Sequence, residues 1–124
     1  MDTRKEFGKW GEDMAVDYLI ERGYRILDRN VYSRRGEIDI IAELMDQGSK
    51  ITVFVEVKTR SSRAFGYPEE AVNDQKKEHI LASAGAYLQK HPRRSDHWRV
   101  DVISVERHAS QQKTEINHFK NVFS

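Results

Sequence analysis

The chain has 124 residues, 38% of them hydrophobic and 33% charged, and a net charge of only +1. This length suits a single domain over residues 1–124 with a real core, and the composition excludes a disordered polyelectrolyte. The absence of cysteine excludes disulfides, zinc ribbons and thiolate nucleophiles, and no apolar run nears the ~20 residues of a membrane span.

In chain order, Phe7, Trp10, Met14, Tyr18 and Leu19 recur at helical spacing, so residues 5–22 read as an amphipathic helix ended by Gly23. Residues 24–27 read as a strand, and residues 30–36, with Asn30, Ser33, Arg34, Arg35 and Gly36, as a loop. A second strand is expected over 37–43. Asp46-Gln47-Gly48-Ser49 is a turn, and a third strand over 51–58 pairs back as an antiparallel hairpin. Residues 60–68 form a loop, and residues 69–89 a long helix stopped by His91-Pro92. Residues 98–105 alternate and are β-branched, so they form a fourth strand, and residues 113–119 a short fifth. The tail 121–124 carries no signal. The order αβββαβ(β) predicts an α/β domain, a mixed sheet of four to five strands flanked by helices. Met1–Glu6 has no apolar leader, so the expected compartment is the cytoplasm, with no membrane partner.

The chemistry concentrates in two acidic segments inside apolar strands, Gly36-Glu37-Ile38-Asp39-Ile40-Ile41 and Val53-Phe54-Val55-Glu56-Val57-Lys58. Strand interiors rarely keep charges without a partner. Glu56 and Lys58 share one face, their Cα atoms roughly 6.5–7 Å apart. Asp39 should share a face with Glu37 and Ile41, with Ile38 and Ile40 opposite. A hairpin register can put Asp39 beside Glu56, where two carboxylates repel unless a cation lies between them. Mg2+ (or Mn2+) takes such oxygen ligands, and the backbone carbonyl of Val57 offers another. Lys58 then stands beside the metal, either stabilising charge on phosphate oxygens or acting as a base. The alternative is a plain cross-strand ion pair. The five histidines, at 79, 91, 97, 108 and 118, form no close pair at helical spacing, which gives a zinc-type site little support.

Asp39 followed by Glu56-Val57-Lys58 resembles the PD-(D/E)XK signature of the restriction-endonuclease-like superfamily. With Gly8-Lys9-Trp10-Gly11-Glu12, Gly36-Glu37-Ile38-Asp39, Val55-Glu56-Val57-Lys58-Thr59-Arg60 and Arg99-Val100-Asp101-Val102, the chain resembles the uncharacterised bacterial YraN-like family from about Gly8 to Val105. That family is similar to archaeal Holliday junction resolvases, which are Mg2+-dependent dimeric endonucleases acting on branched DNA. The resemblance implies a restriction-endonuclease-like core and hydrolysis of DNA phosphodiester bonds. It makes Asp39 and Glu56 metal ligands and Lys58 the catalytic lysine, and a homodimer follows by analogy. Glu12 matches a glutamate that related resolvases place near the metal; it is otherwise an ordinary exposed helix acid. Ile38 stands where the signature has proline. Gln75 is followed by His79 rather than tyrosine, so the Gln-x-x-x-Tyr motif of some branches does not transfer.

The clusters Arg34-Arg35, Arg60 with Arg63, and Lys76-Lys77 can contact phosphates, which sets affinity rather than sequence choice. Each is otherwise a solvated surface. Asp101 beside Arg99 reads as a structural ion pair. Phe65 and Tyr67 can stack on bases or merely anchor their loop. A non-catalytic nucleic-acid-binding module and a protein adaptor are the competing functions.

Overall fold

The computed structural model describes residues 3–61, 73–94 and 96–123. Helix α1 runs Arg4–Glu21; Thr3 caps it by accepting a hydrogen bond from the Glu6 N–H at 3.0 Å. Gly23, at φ 89°, supplies the left-handed residue that ends it. The strands are β1 (Arg25–Ser33), β2 (Gly36–Asp46), β3 (Ser49–Arg60), β4 (Trp98–His108) and β5 (Lys113–Phe119), and helix α2 is Asp74–Lys90. They form one sheet in the order β1-β2-β3-β4-β5, antiparallel except for the parallel β3–β4 pair. A parallel pair needs a crossover, and α2 lies in it. The Asp46–Ser49 turn places Gln47 at φ 50° and Gly48 at φ 83°, the two positive values that a tight hairpin demands. No described helix is long and apolar enough to cross a membrane.

One helix covers each face. Ala15 and Leu19 of α1 pack on Ile40, Ala42, Val53, Val55, Ile103 and Val105. Ile80, Ala84, Tyr87 and Leu88 of α2 pack on Ile38, Ile41, Phe54 and Val100. Phe54 is fully buried, edge-on to Tyr87 and Trp98 at 5.8 and 5.9 Å between centroids, and its burial contributes about 1.5–3 kcal/mol.

Four expectations change. β1 continues through residues 30–33, which look like a loop because of Asn30; that residue sits inside the strand at φ 51°, and Val31 packs on the α2 side. Ile38 and Ile40 do not share a face: Ile38 joins the α2-side core and Ile40 the α1-side core. Alternation breaks at Asp39, between the pairs Arg29↔Ile40 and Val31↔Ile38 that flank the left-handed Asn30. α2 starts at Asp74 behind an Asn73 cap, so Lys76 and Lys77 lie in its first turn; the expected helical residues 69–72 lie outside the described residues. The tail is also part of the fold, because Val122 N–H donates to the Val100 carbonyl at 2.8 Å and Val122 and Phe123 pack on the α2-side core.

Candidate functional site

β2 and β3 are paired from Asp46↔Ser49 to Ile40↔Val55, and no further. Continued by one residue, this register would set Asp39 against Glu56. Instead β2 remains bonded to β1 as far as Ser33↔Gly36, while β3 remains bonded to β4 as far as Arg60↔Glu106. The two central strands therefore part just where the acidic segments lie. In the gap the Val57 N–H donates to Asp39 Oδ2 at 2.7 Å in place of a strand partner. A strand residue directs its N–H and C=O toward the same edge, so the Val57 carbonyl faces the gap as well.

On one side of the gap lie carboxylates. A Cβ at Gly11 would meet Thr59 Oγ1 at 2.0 Å, so only glycine lets α1 approach β3 this closely. The approach brings in Glu12, which is half-buried rather than an exposed helix acid. One carboxylate oxygen each from Glu12, Glu37 and Asp39 lies within 4.8 Å of the others. The left-handed Asn30, with its amide nitrogen turned inward, donates to Glu12 Oε1 at 3.1 Å and Glu37 Oε1 at 2.7 Å. Arg29 binds Asp13 at 2.7 Å and approaches Glu12 at 3.8 Å. Burial, then the Glu56 charge, push the Asp39 carboxyl up to about 8 against the Val57 hydrogen bond. Burial also raises Glu12, with Arg29 opposing.

On the other side lie ammonium groups. Glu56 is only 8% exposed, and its Oε1 meets Lys58 Nζ at 3.3 Å and Lys76 Nζ at 3.0 Å. Burial lowers the Lys58 pKa although Glu56 pulls it up. Burial lowers Lys76 too, but there the Glu56 carboxylate prevails and its pKa rises. The sequence placed Lys76 among phosphate contacts; the structure ties it to Glu56.

The other predicted residues scatter. Arg34 and Arg35 are exposed in the β1–β2 turn, and Arg60 is half-buried at the end of β3 opposite Glu106. Lys77 Nζ lies 5.2 Å over the Phe123 ring. Arg63, Phe65 and Tyr67 lie outside the described residues. Asp101 is a structural partner, as expected: Arg99 donates to both its oxygens at 3.0 and 3.2 Å, His118 Nε2 to Oδ2 at 2.7 Å, and the Asn121 N–H to Oδ1 at 2.9 Å. Burial opposes these bonds and loses, so the Asp101 pKa is lowered. Sequence reasoning overlooked Asn30 and Glu37. Glu37 could have been found from its period-two relation to Asp39, whereas Asn30 carried a loop signal.

The chain has close relatives. It is 50% identical over 121 residues to a UPF0102 protein of Alkaliphilus oremlandii, covering 96% of this chain and 98% of the other. A UPF0102 protein of Syntrophomonas wolfei is 43% identical over 119 residues, again with 96% and 98% covered. Among solved structures, Pyrococcus furiosus SfsA in complex with Ca2+ gives a TM-score of 0.31 at 12% identity, over 94% of this chain and 61% of that one. The model of the family described as "Uncharacterised protein family UPF0102" matches residues 11–105. By this match and these identities the chain belongs to the UPF0102 family, as its YraN-like motifs imply.

Proposed function

We propose that this protein is a metal-dependent endonuclease that hydrolyses phosphodiester bonds in branched or otherwise structured DNA. The observation that carries this reading is the meeting of the Glu12, Glu37 and Asp39 carboxylates with the Glu56–Lys58–Lys76 group across one gap between strands. Oxygen-only donors suit a hard divalent cation, Mg2+ or Mn2+, and burial with neighbouring carboxylates raises the pKa of Glu12 and of Asp39, which a cation would offset. Asp39, Glu12 and Glu37 would hold it, with Glu56 and the Val57 carbonyl as further oxygen donors across the gap. Bound there, the cation would supply charge neutralisation and activate a water for attack on phosphorus.

The remaining steps belong to the chain. The Val57 N–H fixes the orientation of Asp39. Glu56 holds Lys58 at the gap, where its ammonium meets negative charge growing on the phosphate oxygens. Its lowered pKa lets it give up a proton more readily than a free lysine, which suits exchange with the attacking water. Lys76 neutralises Glu56 and keeps it in place. In this reading Arg34, Arg35, Arg60 and Lys77 are the contacts to flanking phosphates.

The test pairs calorimetric Mn2+ titration with cleavage of junction, flap and single-stranded DNA. Wild type should bind Mn2+ and cleave in Mg2+ or Mn2+, and EDTA should stop it. Asp39→Asn should lose both properties. Lys58→Ala should keep Mn2+ binding while cleavage falls about 100- to 1,000-fold. A wild type that turns over nothing in the panel, or variants that cleave equally well, would overturn the reading. Salt-dependent DNA binding without turnover would instead favour the non-catalytic module, which the near-neutral net charge of +1 also fits.

A further inference from the structure

A groove of about 570 Å³ runs between the first turns of α1 and the end of the β1–β2 hairpin. Its size falls within the roughly 300–1,000 Å³ typical of ligand sites. Glu12 and Glu37, two of the three clustered carboxylates, line it together with Arg4, Lys5, Gly8 and Tyr32. Three features of this lining stand apart from ordinary surface.

Tyr32 is 74% exposed, although it sits in a strand whose flanking Val31 packs into the core. A large aromatic face left to water beside cations is a stacking platform for a base. Arg4 and Lys5 form no ion pair among the described residues, whereas Lys9 is paired with Asp13, and Arg29 with Asp13 and Glu12. The groove thus keeps two cations available to a polyanion next to its aromatic. Finally, a Cβ added at Gly8 would meet nothing within 4 Å, so the helix surface there is bare and open to a ligand.

We propose that this groove receives a DNA strand at an unpaired nucleotide, with its base stacked on Tyr32 and the flanking phosphates on Arg4 and Lys5. A base inside a duplex shows only its edges, so its face can reach Tyr32 only when unpaired. Glu12 and Glu37 line the same groove, so the adjoining backbone lies beside the carboxylates. The specificity rests on the nuclease reading above: the substrate class is DNA with a frayed, flapped or junction-adjacent unpaired base.

The test uses the full chain with Ca2+ in place of Mg2+ and a forked DNA carrying 2-aminopurine at the unpaired position beside the fork. Fluorescence reports stacking, and anisotropy reports affinity for the fork and for a fully paired duplex. Wild type and Tyr32→Phe should change the 2-aminopurine signal and prefer the fork. Tyr32→Ala should lose the signal change and bind the fork about tenfold more weakly, with a smaller loss on duplex. Gly8→Leu should weaken fork binding while its thermal midpoint holds or rises, since glycine is a poor helix former. Equal fork affinity in wild type and Tyr32→Ala, no preference for fork over duplex, or no DNA binding by wild type overturns the proposal. The two readings separate cleanly. Tyr32-dependent stacking without cleavage in Mg2+ sinks the hydrolysis and spares the groove; cleavage indifferent to Tyr32 sinks the groove and spares the hydrolysis.

Discussion

Asp39 on β2 and Asp101 on β4 lie two strands apart in the same sheet and end in opposite electrostatic states. Burial pushes both carboxyls up, yet the fully buried Asp101 has a lowered pKa, whereas that of Asp39 rises to about 8. Partners account for the inversion. Asp101 accepts from the Arg99 guanidinium, His118 and a backbone N–H. Asp39 accepts from the Val57 N–H and otherwise faces Glu56, Glu12 and Glu37. The fold surrounds Asp101 with donors and leaves Asp39 among other carboxylates, which is the electrostatic setting that the proposed cation site calls for.

The sharpest way to break the comparison is to remove each aspartate. Asp101→Ala strands Arg99 and His118 in a buried setting and should cost about 3–5 kcal/mol in chemical denaturation, whereas Asp39→Asn should leave the metal-free fold as stable or more so. Equal losses would put the two residues in one class. The pH dependence should also differ in sign. The raised Asp39 pKa means that the folded state holds a proton the unfolded chain gives up. That stabilisation is complete below pH 3.8 and fades as pH climbs toward about 8. Metal-free wild type should therefore weaken over that window, by at most about 1.4 kcal/mol per pH unit, and Asp39→Asn should flatten the profile. Asp101, with its lowered pKa, stabilises above its ordinary range and loses that contribution as pH falls, which strengthens acid unfolding instead.

How much of this was legible beforehand follows from the range of each interaction. Asp39 and Glu56-Val57-Lys58 stood out because strand alternation and a two-residue turn are local, and they bring the acidic segments to one level of the sheet. Glu12 stayed ambiguous, since it falls off the apolar stripe of α1 and its surroundings come from β1 and β2. Asn30 misled, because the property that suits it to loops, tolerance of a left-handed backbone, serves here inside a strand. The tail was opaque for a similar reason: Val122 and Phe123 gain meaning only against a core assembled from α2 and distant strands. Nor could any local pattern foretell that β2 and β3 would part company after Ile40, since that depends on which neighbour each strand keeps.

A smaller effect sharpens the comparison from the side of the helix. Gly11→Ala forces a methyl into Thr59 and should cost about 1–3 kcal/mol, with part recovered by adding Thr59→Gly. Backing α1 away also separates Glu12 from Asp39, so the slope of stability against pH should shrink in the single variant. An unchanged slope would remove Glu12 from the set of charges that Asp39 feels.

The divergence of the two central strands has one more consequence. Each is anchored along its outer border, β2 by β1 and β3 by β4, so the fissure is framed by strand pairing on both flanks. Its walls are set when the polypeptide folds. A visitor would find the donor atoms already spaced, and the entropic cost of spacing them would have been met during folding, before any encounter.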